Sequence, residues 1–209
     1  MNINEKKSFD VIVIGGGAAG MMAAITAASN GADTMILEHK DRVGKKILST
    51  GNGKCNYTNE LQGVTYYRGD DPAFVLPVME QFGFEETVSF FEKLGIYPKN
   101  RNGYYYPSSE QAASVLDVLR MELTFRHVPV VTECELRNIS EKKNGFLLET
   151  GKGRFSAQKI IFATGLLAAP KTGSDGSAIP LIKAFGHRFS DIVPALTALQ
   201  CRESFFKQL

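Results

Sequence analysis

Val11-Ile12-Val13-Ile14-Gly15-Gly16-Gly17-Ala18-Ala19-Gly20 is the stretch on which the fold turns. Its first four residues are a continuous apolar, β-branched run, the pattern of a parallel strand covered on both faces. Three consecutive glycines break the run, and an alanine-rich segment from Ala18 to Asn30, closed by Gly31, has the composition of a helix. Thr34 to Glu38 then reads as a second strand. Strand, tight turn, helix and strand within about thirty residues make a βαβ unit, whose crossover sets the two strands side by side and parallel.

Within this unit Gly15, Gly17 and Gly20 satisfy G-x-G-x-x-G. Gly15 allows the tight turn, Gly17 lets backbone approach a pyrophosphate, and Gly20 lets the helix lie close to the sheet. Ala18 and Ala19 open the helix, where free N–H groups and positive potential favour an anion. Glu38, eighteen residues beyond Gly20, ends the second strand, where a carboxylate can accept hydrogen bonds from an adenosine ribose. The fingerprint points to a dinucleotide and leaves NAD and FAD both open. The acid disfavours a 2′-phosphate, with His39 and Lys40 beside it as the features that speak for NADP.

Working outward, the chain has 209 residues, 44% hydrophobic and 22% charged, with 24 basic against 22 acidic side chains. That is an ordinary globular composition, able to bury about 70% of its unfolded surface without disulfides or metal clusters. So balanced a charge gives no field that would make nucleic acid or an anionic membrane the main partner. Cys55, Cys134 and Cys201 are odd in number and widely spaced with no C-x-x-C, so neither a disulfide framework nor a zinc site is expected, and a reducing, cytoplasmic setting fits. Val11 to Ala32 carries no charge and follows Lys6-Lys7, but the glycine turn inside it argues for strand, turn and helix over a membrane span or signal peptide. No Ser-His-Asp, paired-carboxylate or metal-ligand pattern stands out, so no catalytic residue and no metal are assigned.

Asp41 to Asn59 reads as a glycine-rich loop with one helical turn at Lys45 to Leu48. Residues 72–95 suggest two short helices broken at Gly83, and Ser109 to Phe125 a helix begun by Ser-Ser-Glu. Tyr104-Tyr105-Tyr106 reads as a half-buried strand. Val130 to Ile139, Gly145 to Thr150 and Arg154 to Ala157 read as a small β-meander with a turn at Lys142 to Gly145, and Lys159 to Ala163 as a further buried strand. A last helix over Ser177 to Phe185 ends at Gly186, and Ala195 to Gln200 reads as a strand.

Ile160-Ile161-Phe162-Ala163-Thr164-Gly165, with Pro170 and Gly173 after it, looks like the second FAD motif of flavoproteins with two dinucleotide-binding domains. GKKILSTGNGKCNYTN at 44–59, GYYYPSS at 103–109, ATGLLAAPKTGSDGS at 163–177 and FGHRFSDIVPAL at 185–196 extend the likeness. The whole chain resembles the bacterial NAD(P)/FAD-dependent oxidoreductase family of aminoacetone-oxidase-like and bile-acid-reductase-like flavoproteins. The resemblance implies an α/β fold, a Rossmann-like doubly wound FAD-binding domain with a helical excursion and a small β-meander. It also implies FAD as cofactor, and hydride transfer between a small-molecule substrate or NAD(P)H and an acceptor.

For residues, the resemblance implies Glu38 at the adenosine ribose, flanked by His39 and Lys40. Gly44, Lys45, Lys46, Ser49, Gly51, Asn52, Gly53, Lys54, Cys55 and Asn56 would wrap the pyrophosphate and reach toward the flavin. Leu136 would meet the adenine through its backbone, and Ala163, Thr164, Gly165, Gly173, Asp175 and Gly176 would close over the cofactor. The chain departs from the family pattern at Leu166, where a second glycine usually follows Ala-Thr-Gly. The implied organisation is the N-terminal part of a longer flavoprotein: 1–62 the βαβ unit and phosphate loop, 63–128 the helical excursion, 129–158 the meander, and 159–209 the second FAD motif. A truncated FAD- or ADP-binding module without turnover, and more weakly an NAD-dependent dehydrogenase, are the other readings of the same residues.

Overall fold

The computed structural model describes residues 7–194. The expected strand Ala195 to Gln200 and Cys201 lie outside the described residues. In chain order the strands and α-helices are β1 (Ser8–Ile14), α1 (Ala18–Ser29), β2 (Thr34–Leu37), β3 (Thr58–Asn59), α2 (Leu76–Met79), α3 (Phe84–Lys93), β4 (Pro98–Arg101) and β5 (Tyr104–Pro107). They continue with α4 (Ala112–Phe125), β6 (Val130–Val131), β7 (Leu136–Lys142), β8 (Gly145–Thr150), β9 (Gly153–Phe162) and α5 (Ile179–Ala184).

The main sheet has the order β6-β2-β1-β9-β8-β7. Its β6, β2, β1 and β9 are parallel, and β8 and β7 continue it antiparallel. The apolar run in β1 is continuous because both faces are covered. Val13 and Ile36 face a core completed by Met21 and Ile25 of α1 and by Val115, Leu116 and Leu119 of α4. Ile12, Ile14, Met35 and Leu37 face the other way, into a core with Leu148 and Phe155 of the meander. The Rossmann-like α/β architecture expected from the sequence is present: α1 and α4 cover one face of the sheet, and the other face packs into the core that holds Leu148 and Phe155.

Two strand boundaries differ from expectation. The segment Val130 to Ile139 is two strands: β6 pairs with β2, and the chain then turns at Glu133, whose φ is 49°. Hydrogen bonds from Glu133 N–H to Lys40 C=O and from Cys134 N–H to Glu38 C=O carry it across the end of β2 toward the opposite edge of the sheet. Conversely, Arg154 to Ala157 and Lys159 to Ala163 form one strand, β9, because Ser156 and Ala157 pair with β1 and β8 at once. A pattern that changes its buried face midway looks like two strands in sequence, although the ladder is unbroken.

The excursion holds helices α2 and α3, broken at Gly83 as expected, and also a second, three-stranded antiparallel sheet in the order β3-β5-β4. Tyr105 of β5 packs edge-on against Phe84 of α3, with ring centroids 4.8 Å apart. Ser109 and Glu110 precede α4 in a turn, Glu110 having a φ of 52°, and the helix starts only at Ala112. The helical turn expected at Lys45 to Leu48 lies slightly later, as a 3-10 segment over Ile47–Gly53 interrupted at Thr50, Gly51 and Asn52. The last helix spans Ile179–Ala184, two residues shorter at its start than the sequence suggests.

Leu148 of β8 is fully buried in the core it shares with Ile12, Ile14, Met35 and Leu37. Leu148→Ala should lower the stability of the chain by about 3 kcal/mol, read as a drop in urea midpoint at unchanged slope, because residues held in hydrogen-bonded strands cannot close the cavity left behind.

Candidate functional site

The register of the parallel strands builds the site. Ile14 is level with Leu37 on one side and Phe162 on the other, so Gly15, Glu38 and Ala163 all leave the sheet at one rim. Gly15 N–H donates to Leu37 C=O at 2.8 Å and Ala163 N–H to Ile14 C=O at 2.8 Å, which binds the three exits together. In an open α/β sheet this carboxyl-end crevice is where ligands bind. It opens here into a cavity of about 540 Å³ walled by the glycine turn, Glu38, the 42–50 loop, the 134–136 crossing and the 163–181 segment.

The glycines of the turn do different work. Gly15 has a φ of 101°, and a Cβ there would lie 2.7 Å from Ala163 O. At Gly20 a Cβ would lie 1.8 Å from Gly15 O, so α1 packs against the turn only because position 20 has no side chain. At Gly17 a Cβ would meet nothing within 4 Å, which leaves its backbone open toward the cavity. Gly17 also caps α1 without any side-chain hydrogen bond, and the first turn of α1 carries no acidic residue. Its positive end is therefore unquenched and faces the cavity, with Ala18 and Ala19 at the wall.

Glu38 is buried, and its carboxylate is held by backbone on both sides. Gly16 N–H donates to Oε2 at 2.6 Å and Lys40 N–H to Oε1 at 2.8 Å. Two acceptor sites per oxygen leave room for hydroxyl donors from a ligand. His39 lies between two carboxylates, with Nδ1 3.3 Å from Glu38 Oε1 and Nε2 3.2 Å from Asp175 Oδ2. These are ion-pair distances, and Nε2 is buried without an aligned hydrogen-bond partner. Lys40 Nζ is 4.0 Å from the same Asp175 oxygen. Asp175 sits below the usual carboxylate range, chiefly because the Ser177 hydroxyl donates to it at 2.6 Å, with Ser177 N–H, His39 and Lys40 adding and burial opposing.

Lys45 and Lys46 line the cavity with Gly44. Lys45 Nζ pairs with Asp41 at 2.8 Å and holds that carboxyl below its ordinary range, while Lys46 Nζ reaches Ser174 Oγ at 3.5 Å. Leu136, Ala163, Thr164, Gly165 and Gly173 also line it. Gly20, Lys40, Ser49, Gly51, Asn52, Gly53, Lys54, Cys55, Asn56 and Gly176 are not in its wall. Of these, Gly20 acts through packing and Lys40 through Glu38 and Asp175. Lys54 instead approaches Glu110 at 4.0 Å, and Asn56 hydrogen-bonds the backbone of Thr58 and Tyr105. Cys55 is buried in the α4 core, where burial raises its thiol pKa against an opposing hydrogen bond from Thr50. Leu166 is exposed.

The wall also contains residues that sequence reasoning passed over, Gly16, Arg42, Glu135 and Leu181 among them. Gly16 stands at an unspecified position of G-x-G-x-x-G, yet a Cβ there would lie 2.3 Å from Val43 Cγ1 and 3.1 Å from Glu38 Oε2. No local signal marks that contact, which spans from the turn to the loop after β2. Arg42 adjoins the predicted phosphate loop, and a basic residue beside it was the available clue.

With this geometry in view, the model of the family described as HI0933-like protein Rossmann domain matches residues 9–195. The 3-dehydro-bile acid delta(4,6)-reductase of Clostridium scindens (strain ATCC 35704 / DSM 5676 / VPI 13733 / 19) is 45% identical over 196 residues, 93% of this chain and 48% of that protein. The ribosomal RNA dihydrouridine synthase of Escherichia coli (strain K12) is 26% identical over 178 residues, 85% of this chain and 44% of that protein. The chain thus spans about half the length of the curated relatives it matches. Among solved structures, 3-ketosteroid-delta4-(5alpha)-dehydrogenase from Rhodococcus jostii RHA1 superposes with a TM-score of 0.56 at 15% identity, covering 78% of this chain and 47% of that one, a likeness of fold.

Two outcomes test the reading of the turn and loop. Gly20→Ala should cost about 3 kcal/mol or more, because the obstructing atom is backbone, whereas Gly17→Ala should unfold at the wild-type urea midpoint. Cys55 should alkylate with iodoacetamide at pH 8 far more slowly than a free thiol and react fully in urea, as peptide mass mapping would show, since burial suppresses its thiolate.

Proposed function

The chain belongs to the HI0933-like Rossmann-domain family, and on that premise we propose that it holds FAD in the crevice at the carboxyl end of β1 as part of an FAD-dependent oxidoreductase. The observation that carries this is convergence. The open backbone at Gly17, the free N-terminus of α1 and the buried carboxylate of Glu38 meet on one cavity, whose volume falls in the range of roughly 300–1,000 Å³ usual for ligand pockets.

In this reading the α1 N-terminus, Lys45 and Lys46 take the pyrophosphate, Glu38 accepts the ribose hydroxyls on its remaining lone pairs, and the 134–136 crossing meets the adenine. His39 and Lys40 draw the Asp175 turn against that end of the cavity. Bound FAD supplies two-electron hydride chemistry, and the residues of this chain bind, orient and shield it. The partners would be a small organic substrate or NAD(P)H as hydride donor and a separate acceptor. The sequence places no emphasis on nucleic acid as partner. Among the described residues no helix is long and apolar enough to cross a membrane. The cysteine pattern of the sequence is the ground for proposing a reducing, cytoplasmic setting.

The chain would be one FAD-binding unit within a longer flavoprotein. A second reading, a nucleotide-holding module without turnover, draws support from one observation. The 51–56 segment, which the resemblance sends toward the flavin, stands outside the cavity wall. The two readings share the ADP-binding end and differ in electron transfer.

A visible absorbance spectrum of the purified chain, followed by chromatography of what heat releases, tests the cofactor. A flavin band with FAD released supports it, and a colourless chain that fails to bind added FAD overturns it. Turnover of an electron donor by the flavin-loaded chain would then remove the second reading. Glu38→Ala should weaken FAD binding by about 1–3 kcal/mol in a fluorescence titration. Because Glu38 also braces Gly16 and Lys40, the same variant should lower the urea midpoint of the ligand-free chain.

A further inference from the structure

The small sheet presents a charged face that the cofactor reading does not use. In the β4–β5 hairpin Lys99 is opposite Tyr106 and Arg101 opposite Tyr104, so these four side chains share one face. Asn100 and Tyr105 share the other face, where Tyr105 packs on Phe84. Lys54, from the loop after β2, joins the first face. All three cations converge on a single carboxylate: Lys99 Nζ is 2.7 Å from Glu110, Arg101 hydrogen-bonds it, and Lys54 Nζ is 4.0 Å away. The nearby Glu60 bonds Asn100 on the opposite face and does not offset the charge. Lys54, Lys99 and Arg101 keep 45%, 44% and 46% of their side-chain surface exposed.

Rings border this charge. The Arg101 guanidinium lies 6.0 Å from the centre of the Tyr106 ring, and Tyr104 is 51% exposed. Tyr106 in turn abuts the loop after β2: a Cβ at Gly51 would lie 3.4 Å from its Cε1. The cations hold Glu110 below the usual carboxylate range, Lys99 foremost, so the carboxylate occupies a place that a ligand anion could share or take.

We propose that the face formed by Lys54, Lys99, Arg101, Tyr104 and Tyr106, with Glu110 as its internal counter-ion, binds the anionic group of a small organic molecule whose flat ring system lies against the tyrosines. Charge complementarity selects the occupant: three cations against one carboxylate call for an anion, and the flat faces of Tyr104 and Tyr106 call for a ring. A single hairpin with one shared counter-ion matches one anionic group. It does not match a polyanion track, which the near-neutral chain as a whole gives no field to support. The proposal goes beyond the oxidoreductase reading: the face stands outside the wall of the cofactor cavity, and its binding of an anion does not depend on FAD being held there.

The probes are 2-naphthoate and its uncharged methyl ester, titrated at low salt into the full chain by NMR and calorimetry. Wild type should bind naphthoate and prefer it to the ester. Lys99→Gln with Arg101→Gln should weaken naphthoate binding by about tenfold, because exposed charge-assisted contacts are lost without disturbing the core. Glu110→Gln should tighten it several-fold by removing the internal competitor, a gain that a purely structural ion cluster would not produce. Absent binding, equal binding of acid and ester, an unaffected double variant, or a Glu110→Gln that binds no tighter would each overturn the proposal. So would preferential capture of a single-stranded RNA oligonucleotide with a steep salt dependence. FAD titration of the same proteins separates the two readings. A chain that binds naphthoate but not FAD removes the cofactor reading alone, and one that binds FAD but not naphthoate removes the anionic face alone.

Discussion

The hydrogen bond from Gly16 N–H to the buried Glu38 carboxylate, at 2.6 Å, is the contact on which the rest of the site depends. A carboxylate taken out of water is costly unless it is hydrogen-bonded, and Glu38 is held by two backbone amides, from Gly16 before α1 and from Lys40 after β2. The glycine turn and the end of the second strand are therefore one unit. Gly16 can approach that closely only because it has no side chain, since Val43 and Glu38 occupy the space where a Cβ would lie. A ligand then meets an acid whose orientation is already set, so little ordering remains to be done at binding.

The same strand end anchors the two segments that complete the cavity. Lys40 C=O and Glu38 C=O accept from Glu133 and Cys134, fixing the crossing that leads to the meander. His39 and Lys40 approach Asp175, whose side chain is already tied by Ser177. Three stretches far apart in sequence thus converge on three consecutive residues, Glu38 to Lys40. Perturbing this point would affect the cavity on several sides, whereas perturbing α5 or the excursion would affect one.

The excursion adds a different environment. Where the crevice at the end of β1 is made of backbone amides and a buried acid, the β4–β5 hairpin shows exposed cations and tyrosines on one face and packs the other on α3. The loop after β2 touches both regions, with Gly44 to Lys46 at the cavity and Gly51 beside Tyr106. A loop interrupted at Thr50 to Asn52 and anchored at both ends links this crevice to a neighbouring surface without belonging wholly to either.

Much of this was legible in the residues. The β-branched run of β1, the glycine turn, the alanine-rich helix and Glu38 each carry a local physical signature, because strand burial, positive φ and helix formation depend on near neighbours. The Ala163-Thr164-Gly165 turn and the Lys45-Lys46 loop were singled out differently, through resemblance to a family. The folded chain alone settles every feature that needs two distant segments at once. These include the need for glycine at position 16 against Val43, the splitting of Val130 to Ile139 into strands at different places in the sheet, and the fusion of two apparent strands into β9. They also include the pairing of His39 with Asp175 and the convergence of Lys54, Lys99 and Arg101 on Glu110. Local sequence fixes which conformations a segment prefers, but strand register and side-chain encounter are set by burial across the whole chain, and no short window contains that information.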